Sequence, residues 1–215
     1  DVKNLDDEEY LTNNYIVLCT KNGIIKKTDL RDFSRPRQTG INAINILEGD
    51  QLLAAELTDG NCEIMLAVKS GRAIRFHESA VRSTGRGGIG VYGIEVDSAD
   101  DQAVGMICIN KNDKSKTILV VSEKGYGKRT FLDDPETGEP NYRITNRGGK
   151  GVKTINVTDK TGKLVGLLAV TEKEDLMITC VSGVTIRMSV NGISEQGRAT
   201  QGVKLIKVDE GDEIA

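Results

Sequence analysis

Several residue types are scarce in this sequence, and each absence narrows the range of functions. Tryptophan is absent and His77 is the only histidine, which excludes a multi-histidine metal site or a histidine acid–base pair. No apolar run approaches the roughly 18 to 20 residues of a membrane-spanning helix. The acidic start DVKNLDDEEY does not resemble a secretory signal. Because the chain begins at Asp rather than Met, we expect a piece of a longer protein. We also expect a cytoplasmic location, no membrane partner and no small-molecule substrate.

Cysteines are few and are not arranged as ligands. The four cysteines form no CxxC pair, and Cys19, Cys108 and Cys180 lie in apolar, strand-like runs. A thiol in such a run behaves as a small hydrophobic group. We therefore expect free core cysteines in a reducing compartment, with no metal site and no disulfide.

The formal net charge of −3 conceals a separation of charge along the chain. Residues 1–10 form an acidic N-terminal segment with five acids and one base, and residues 209–215 hold four acids and no base. Residues 11–208 carry 28 basic and 23 acidic side chains. This modest excess indicates a polyanionic partner only if the cations share one face. In that case the acidic ends are expected to compete with the partner.

The sequence repeats one pattern four times, in which two apolar runs flank a polar turn with glycine at the same place. The four segments are IVLCTKNGIIKKT (16–28), IMLAVKSGRAIRF (64–76), ILVVSEKGYGKRT (118–130) and LMITCVSGVTIRM (176–188). Their aligned glycines are Gly23, Gly71, Gly125 and Gly183. Such turns predict β-hairpins, because glycine takes a positive φ without steric cost.

A basic, glycine-containing loop leading into a strand follows each hairpin, and another apolar strand follows in the first three copies. The loop segments are 37–46, 85–96, 146–157 and 198–208, and the later strands are 51–57, 103–109 and 164–170. Four-stranded units of about 50 residues predict an all-β, propeller-like repeat domain whose stacked blades bury each other's apolar faces. We place the blades at 11–60, 61–110 and 111–171, with a truncated blade at 172–215. Single helical turns are expected at 28–33 and 77–82.

The stretch TNRGGKGV (145–152) looks like a phosphate loop, but its context argues against a nucleotide site. A Walker loop needs G-x-x-x-x-G-K-[ST] running into a helix, whereas here Lys150 is followed by Gly151 and a strand. The stretch is instead the third copy of the basic loop. We expect neither a cofactor nor a catalytic residue in this chain.

Cations recur at equivalent positions of the repeats. The residues four positions after the aligned glycines are Lys27, Arg75, Arg129 and Arg187. Cations close to them are Lys26, Arg72 and Lys128, and the loops add Arg35, Arg37, Arg82, Arg86, Arg143, Arg147, Lys150, Lys153, Arg198 and Lys204. Equivalent strand positions take the same face in each copy, so we expect these side chains to form a belt of positive charge.

Two interpretations of this belt are open. One is a solvated strand edge whose charges discourage aggregation, and the other is a surface for a polyanion. Glycine-rich loops expose backbone N–H groups, and arginine forks bind phosphate through paired bonds. Stacking platforms for single strands are scarce, since few aromatic residues, among them Phe33, Phe76, Tyr126 and Tyr142, lie near the basic segments. The pattern therefore favours duplex DNA held by its phosphates and bent.

These motifs also resemble a known family. The order NGIIKKT, GRAIRFHESAVR, GYGKRT and RATQGVKLIKV, with RGGKG-like loops, closely resembles the C-terminal domain of DNA gyrase A over about residues 14–208. The resemblance implies a β-pinwheel whose blades exchange a strand with the neighbour and whose basic rim wraps duplex DNA. It implies that the rest of gyrase A, and through it gyrase B, are partners. Cleavage of DNA and use of ATP and Mg²⁺ are implied for those other parts, as steps of negative supercoiling by an ATP-hydrolysing type II topoisomerase.

Two departures from the family pattern are visible. A complete domain of the family has six blades, and this chain has four, matching the last four. The family's wrapping signature, roughly Q-R-R-G-G-K-G, belongs to the first blade, whereas Arg147 to Gly151 keeps only R-G-G-K-G in a later one. The resemblance therefore identifies 147–151 as a related loop and implies weaker or incomplete wrapping.

Three functional classes stay open at this point. The DNA-wrapping gyrase domain is favoured, the similar domain of topoisomerase IV is the near alternative, and a propeller that serves as a protein-interaction platform is the distant one. The acidic insertion LDDPETGEPNY lengthens the third repeat. It is expected to be a solvated loop, with a regulatory or partner-binding loop as the alternative.

Overall fold

The computed structural model describes residues 5–215, and strands are its main regular elements. One short helix, α1, spans Glu8–Asn13, and single 3-10 turns span Leu30–Phe33, Glu78–Ala80 and Val190–Gly192. The strands are β1 Tyr15–Thr20, β2 Ile24–Asp29, β3 Leu52–Thr58, β4 Cys62–Val68, β5 Arg72–His77, β6 Val91–Tyr92, β7 Ala103–Asn110, β8 Thr117–Ser122, β9 Tyr126–Phe131, β10 Val152–Lys153, β11 Leu164–Val170, β12 Asp175–Thr179, β13 Thr185–Ser189 and β14 Val203–Lys204.

Each four-stranded sheet is built from two repeats. The antiparallel orders are β3-β1-β2-β6, β7-β4-β5-β10 and β11-β8-β9-β14, followed by the two-stranded β12-β13. Three strands of each larger sheet come from one repeat, and the short edge strand comes from the next repeat along the chain. This exchange confirms the predicted all-β pinwheel, and the two-stranded last sheet confirms the truncated fourth repeat.

The hairpin glycines serve both the turn and the exchange. Gly23 has φ +80°, and its carbonyl accepts the N–H of Gly93 from the next repeat at 2.8 Å. A Cβ on Gly23 would lie 2.6 Å from the carbonyl oxygen of Ile94, and the same crowding recurs at Gly71 and Gly125. Only glycine meets both requirements, because L side chains rarely adopt this backbone and none fits the space.

The hydrophobic core lies between neighbouring sheets. Strand β4 is buried along its whole length, with Ile64 and Leu66 packed in the cluster shared with the first sheet and Met65 in the cluster shared with the third. A third cluster joins the third sheet to the two-stranded one. Because successive side chains of a strand point to opposite faces, a strand packed between two sheets, such as β4, needs apolar residues at nearly every position.

The local predictions of turns and core cysteines are confirmed. Single 3-10 turns occupy the two segments expected to form helical turns. Cys19 and Cys180 lie in the clusters, and Cys108 packs against one of them. All four cysteines are free, and burial raises the pKa of the Cys19 thiol to about 12.

The acidic N-terminal segment is partly helical. Asp7 caps α1 by accepting the N–H of Tyr10 at 3.1 Å, a helix that the sequence pattern did not predict. Residues 1–4 of that segment lie outside the described residues. Among residues 5–215, no helix is both long and apolar enough to cross a membrane.

Candidate nucleic-acid interface

The basic loops of successive repeats lie side by side and are joined by backbone hydrogen bonds. The N–H and carbonyl pairs are Asn45–Gly88 at 3.1 Å, Glu95–Gly149 at 3.0 Å and Asn156–Thr200 at 2.9 Å. Each bond links one repeat to the next, so the four loops form one continuous surface. We call this surface the loop row; it comprises residues 37–46, 85–96, 146–157 and 198–208.

Three of the four strand cations lie inside the molecule. Lys27, Arg75 and Arg129 are only 3–7% exposed, although their register opposite β1, β4 and β8 is the same in each repeat. The prediction that these side chains line an exposed belt is wrong. The residues share a face as expected, but the following repeat covers that face.

Arg75 shows what the buried cations do. Its Nε donates to Glu63 at 2.7 Å, and its Nη1 donates to Asp133 at 2.7 Å and to the carbonyl of Tyr142 at 2.8 Å. The hydrogen bond from Arg75 holds the pKa of Asp133 below its usual value. Asp133 belongs to the acidic insertion, so for this residue the expectation of a solvated loop is wrong. The guanidinium fastens the second repeat to the third.

The other two buried cations join their repeats in the same way. Lys27 lies 3.5 Å from a carboxylate oxygen of Glu78 in the next repeat and also donates to the Glu78 carbonyl at 3.1 Å. Arg129 donates to the carbonyl of Ile193 at 2.9 Å and lies 3.4 Å from Glu195. A buried charge needs such partners, since an unpaired one costs several kcal/mol.

Asp59, Cys62 and Glu78 bring three potential metal ligands within 4.8 Å of one another. Glu78, however, already accepts from Thr58 at 3.1 Å and from the backbone N–H of Cys62 at 2.9 Å, besides pairing with Lys27. Burial raises the pKa of the Cys62 thiol to about 12, so the thiolate that a metal needs is disfavoured. These three groups serve the junction between repeats.

Lys26 and Lys128 are also buried, and their ammonium groups donate to backbone carbonyls of the loop row and so position it. The Lys26 ammonium donates to the carbonyls of Ala43 and Arg86, both at 2.7 Å. Lys128 donates to the carbonyls of Gly197 and Arg198. The expectation that these two lysines are exposed for DNA contact is therefore also wrong. Burial, with the charge of Arg198 as a smaller cause, lowers the pKa of Lys128 to about 8.

A third group of cations is half-buried and binds the backbone of a neighbouring repeat. Arg86 donates to the Asn42 carbonyl at 3.1 Å, Arg147 to the Tyr92 carbonyl at 3.1 Å, and Arg198 to the Lys153 carbonyl at 2.9 Å. Arg72 donates to the carbonyls of Lys150 and Gly151 at 3.2 and 3.0 Å. These arginines position the loops while part of each side chain stays accessible.

The remaining predicted cations are exposed. They are Arg35, Arg37, Arg82, Arg143, Lys150, Lys153, Arg187 and Lys204. Lys150 lies 2.9 Å from Asp97, which raises the pKa of the lysine by hydrogen bonding. Arg187, on β13, pairs with Asp175 away from the loop row. The other six lie on the loop row or next to it and are the side chains available to phosphate.

Tyr92 is a surface residue that the sequence pattern did not single out. It is 65% exposed on β6, whereas the aromatic residues near the basic segments are buried or half-buried, including Phe76 and Tyr142. In the next two repeats the equivalent positions are Lys153 and Lys204. Only the alignment of the GVY, GVK and GVK triplets could have signalled this position.

A comparison with known families identifies this architecture. A model of the family described as DNA gyrase C-terminal domain, beta-propeller, matches residues 14–59, 63–110, 116–134, 141–171 and 174–215. The matched segments cover most of the sequence, and they include the hairpins and the loop row. The chain therefore belongs to the DNA gyrase C-terminal domain family.

Individual gyrase proteins agree with this assignment, and a topoisomerase IV domain shares the fold. The DNA gyrase A polypeptide of Staphylococcus epidermidis is 42% identical over 214 residues, which is 100% of this chain and 22% of that protein. A solved DNA gyrase A C-terminal domain superposes with a TM-score of 0.78 at 25% identity, covering 100% of this chain and 65% of that one. The C-terminal domain of DNA topoisomerase IV gives a TM-score of 0.83 at 24% identity, with 94% and 60% covered. The chain thus spans about one fifth of the curated relative.

Proposed function

We propose that this chain binds and bends duplex DNA without regard to sequence, as the C-terminal domain of a DNA gyrase A polypeptide in the cytoplasm. In the holoenzyme it would present a wrapped segment to the parts that cleave DNA and use ATP, and so support negative supercoiling. The partners of the chain would be duplex DNA, the rest of gyrase A and, through it, gyrase B.

The observation that carries the proposal is that buried cations and exposed cations have different positions and contacts. Buried and half-buried cations tie each repeat to the next, and they leave the loop row as a continuous, positioned surface. Exposed cations such as Arg82, Arg143, Lys153 and Lys204 occur on or beside three successive repeats of that surface. Phosphate contacts of this kind are indifferent to base sequence and release counterions.

The topoisomerase IV domain is the weaker candidate. Its likeness to this chain lies in the fold alone at 24% identity, whereas the gyrase A polypeptide is 42% identical across the whole chain. The gyrase assignment is therefore the one we propose.

A linking-number assay tests the proposal. Nicked circular DNA is sealed by ligase with increasing amounts of the chain at low salt, and the topoisomers are separated after protein removal. We expect a shift in linking number that grows with protein, because a DNA path wrapped with one handedness adds writhe that is trapped on ligation. The matched control is a triple variant carrying Arg143→Ala, Lys153→Ala and Lys204→Ala. No shift together with no binding of linear duplex by the parent chain would overturn the proposal.

A further inference from the structure

One turn of the loop row presents exposed apolar side chains, and at two of its positions the next two repeats carry polar or charged residues. Ile89, Val91 and Tyr92 are 44%, 36% and 65% exposed and lie within four consecutive positions. At the position of Tyr92, the next two repeats carry the exposed residues Lys153 and Lys204.

We call residues 89–92 the apolar step. Exposed aliphatic side chains also occur elsewhere on the loop row, at Ile46 and Val203, but within the described loop segments the aromatic residue is Tyr92. An exposed ring among basic side chains favours a ligand with an apolar part between charged parts.

The main chain beneath this step is held from two sides. On one side β6 pairs with β2, with Tyr92 opposite Ile24. On the other side Arg147 donates to the Tyr92 carbonyl at 3.1 Å, and the N–H of Gly148 donates to the Gly93 carbonyl at 2.8 Å.

The backbone at the glycines around the apolar step is packed closely against the core, so it cannot move further inward. A Cβ on Gly90 would lie 2.6 Å from the Ile25 carbonyl oxygen, and a Cβ on Gly93 would lie 2.5 Å from a methyl of Leu66. The backbone therefore sits directly against the first two sheets. The backbone that carries Tyr92 is already fixed and does not have to be ordered on binding, which lowers the entropic cost of a contact.

Duplex DNA offers the matching chemistry. Its phosphates can pair with the exposed side chain of Arg82 and with the accessible part of Arg147. Arg147 also donates to the carbonyl of Ala80, two residues before Arg82. The faces of its bases are apolar, and a protein side chain can contact them once two neighbouring bases are unstacked. Proteins that bend DNA insert apolar side chains between base steps in this way.

We propose that Tyr92, with Ile89 three positions before it, acts as an apolar wedge that contacts an opened base step of the DNA bound along the loop row. The inference rests on the proposed function and deepens it, because it places a kink at the second repeat and predicts a preference for easily unstacked steps. Stacking of one base on an aromatic side chain is sequence-tolerant, so this preference follows the deformability of the DNA rather than base identity.

The test compares two duplexes of about 40 bp, which is long enough to report a bend, one fully paired and one with a single central mismatch. End-labelled versions report bending by energy transfer, and competition at low salt gives the preference ratio. We expect the parent chain to prefer the mismatched duplex, since less energy is needed to unstack it. Tyr92→Ala should lower affinity for that duplex about tenfold, remove the preference and reduce the bend.

Two further variants separate the wedge from charge and from folding. Tyr92→Phe should keep the preference for the mismatched duplex because the ring remains. Tyr92→Lys introduces the residue of the next two repeats; it should steepen the salt dependence of binding but lack the preference. Lys204→Ala serves as the matched control, with a shallower salt dependence and an unchanged preference. Thermal unfolding should be similar throughout, since Tyr92 is largely exposed.

Each outcome decides the inference. An unchanged preference and bend in a folded Tyr92→Ala variant would overturn the wedge while leaving the proposed function intact. If the parent chain binds neither duplex at low salt, the wedge and the proposed function both fail.

Discussion

At the scale of single residues, the same residue type has opposite roles according to what covers it. Arg75 and Arg187 occupy equivalent register positions, opposite Met65 and Met177. Arg75 is enclosed by the following repeat, whereas Arg187 is exposed with one partner, Asp175. Burial, rather than charge, separates the cations that hold the fold from those that can meet DNA.

Replacing Arg75 should therefore cost far more stability than replacing Arg187. Arg75→Met leaves Glu63, Asp133 and the Tyr142 carbonyl without their donor in a buried site, and we expect a loss of about 3 kcal/mol or more. Arg187→Met removes one exposed pair, with an expected effect under about 1 kcal/mol. Urea unfolding near neutral pH measures both, and equal losses would contradict the distinction.

Lys128 should make the stability depend on pH in an unusual direction. Its folded pKa of about 8 lies below the value of about 10.4 expected for an unfolded lysine. Between these values the unfolded chain binds more protons, so the stability contributed by Lys128 is lowest below pH 8 and increases as the pH rises.

The measurement is the unfolding free energy of the parent chain minus that of Lys128→Met. Taking this difference cancels other titrations, including Cys19 and Cys62, whose raised pKa values lower stability above about pH 9. The difference should rise by about 2 kcal/mol from about pH 7 to about pH 10. A flat difference would show that Lys128 keeps its ordinary pKa.

At the scale of elements, the exchanged strand depends on one glycine in each loop. Gly151 has φ +73°, and a Cβ there would lie 2.2 Å from the Ala73 carbonyl oxygen. Gly90 and Gly202 occupy the same position of their loops and are similarly crowded, against the Ile25 and Gly127 carbonyls. The short strands therefore form only where the loop backbone can lie directly on the preceding sheet.

Gly40 provides a matched control for this contact. It has φ +81°, but a Cβ at this position would have no neighbouring atom within 4 Å. Gly40→Ala should cost about 1 kcal/mol from backbone strain alone, and Gly151→Ala should cost clearly more because the β10–β5 pairing is also pushed apart. Faster amide exchange at Val152 and Lys153 in Gly151→Ala would locate the damage, and equal costs for the two variants would contradict it.

The elements themselves could be predicted from the sequence because their causes are local. The hairpin glycines, the apolar runs and the period of roughly 50 residues indicated the strands and the all-β class. The burial of Lys27, Arg75 and Arg129 could not be read in this way, since strand alternation tells which residues share a face but not what covers it. The covering segment belongs to the next repeat, 51 to 67 residues further along the chain.

Tyr92 was missed for a related reason. A comparison of the loops by their cations does not single out an uncharged residue at a position that holds lysine in the next two repeats. Its exposure depends on β6 being an edge strand, which is a property of the exchange and not of the local sequence.

At the scale of the whole molecule, the loop row is the surface that we expect duplex DNA to meet. Junction cations within the core fix the relative positions of the repeats, and the exposed cations then fall along one row. Since each phosphate contact releases counterions, the binding of DNA should weaken steeply with salt, at about 0.9 log units of affinity per log unit of salt for each contact.

The most direct measurement of this claim is the salt dependence of duplex binding by three proteins. They are the parent chain, a loop-row variant Arg143→Ala/Lys153→Ala/Lys204→Ala, whose cations lie on the loop row or next to it in sequence, and a control variant. The control, Lys111→Ala/Lys163→Ala/Lys173→Ala, removes exposed lysines from other parts of the chain. The two variants remove the same number of charges. We predict that the slope of log affinity against log salt falls by about two to three units, at roughly 0.9 per lost contact, only in the loop-row variant. Equal slopes for the two variants, or a larger loss in the control, would contradict the claim that the loop row holds the DNA.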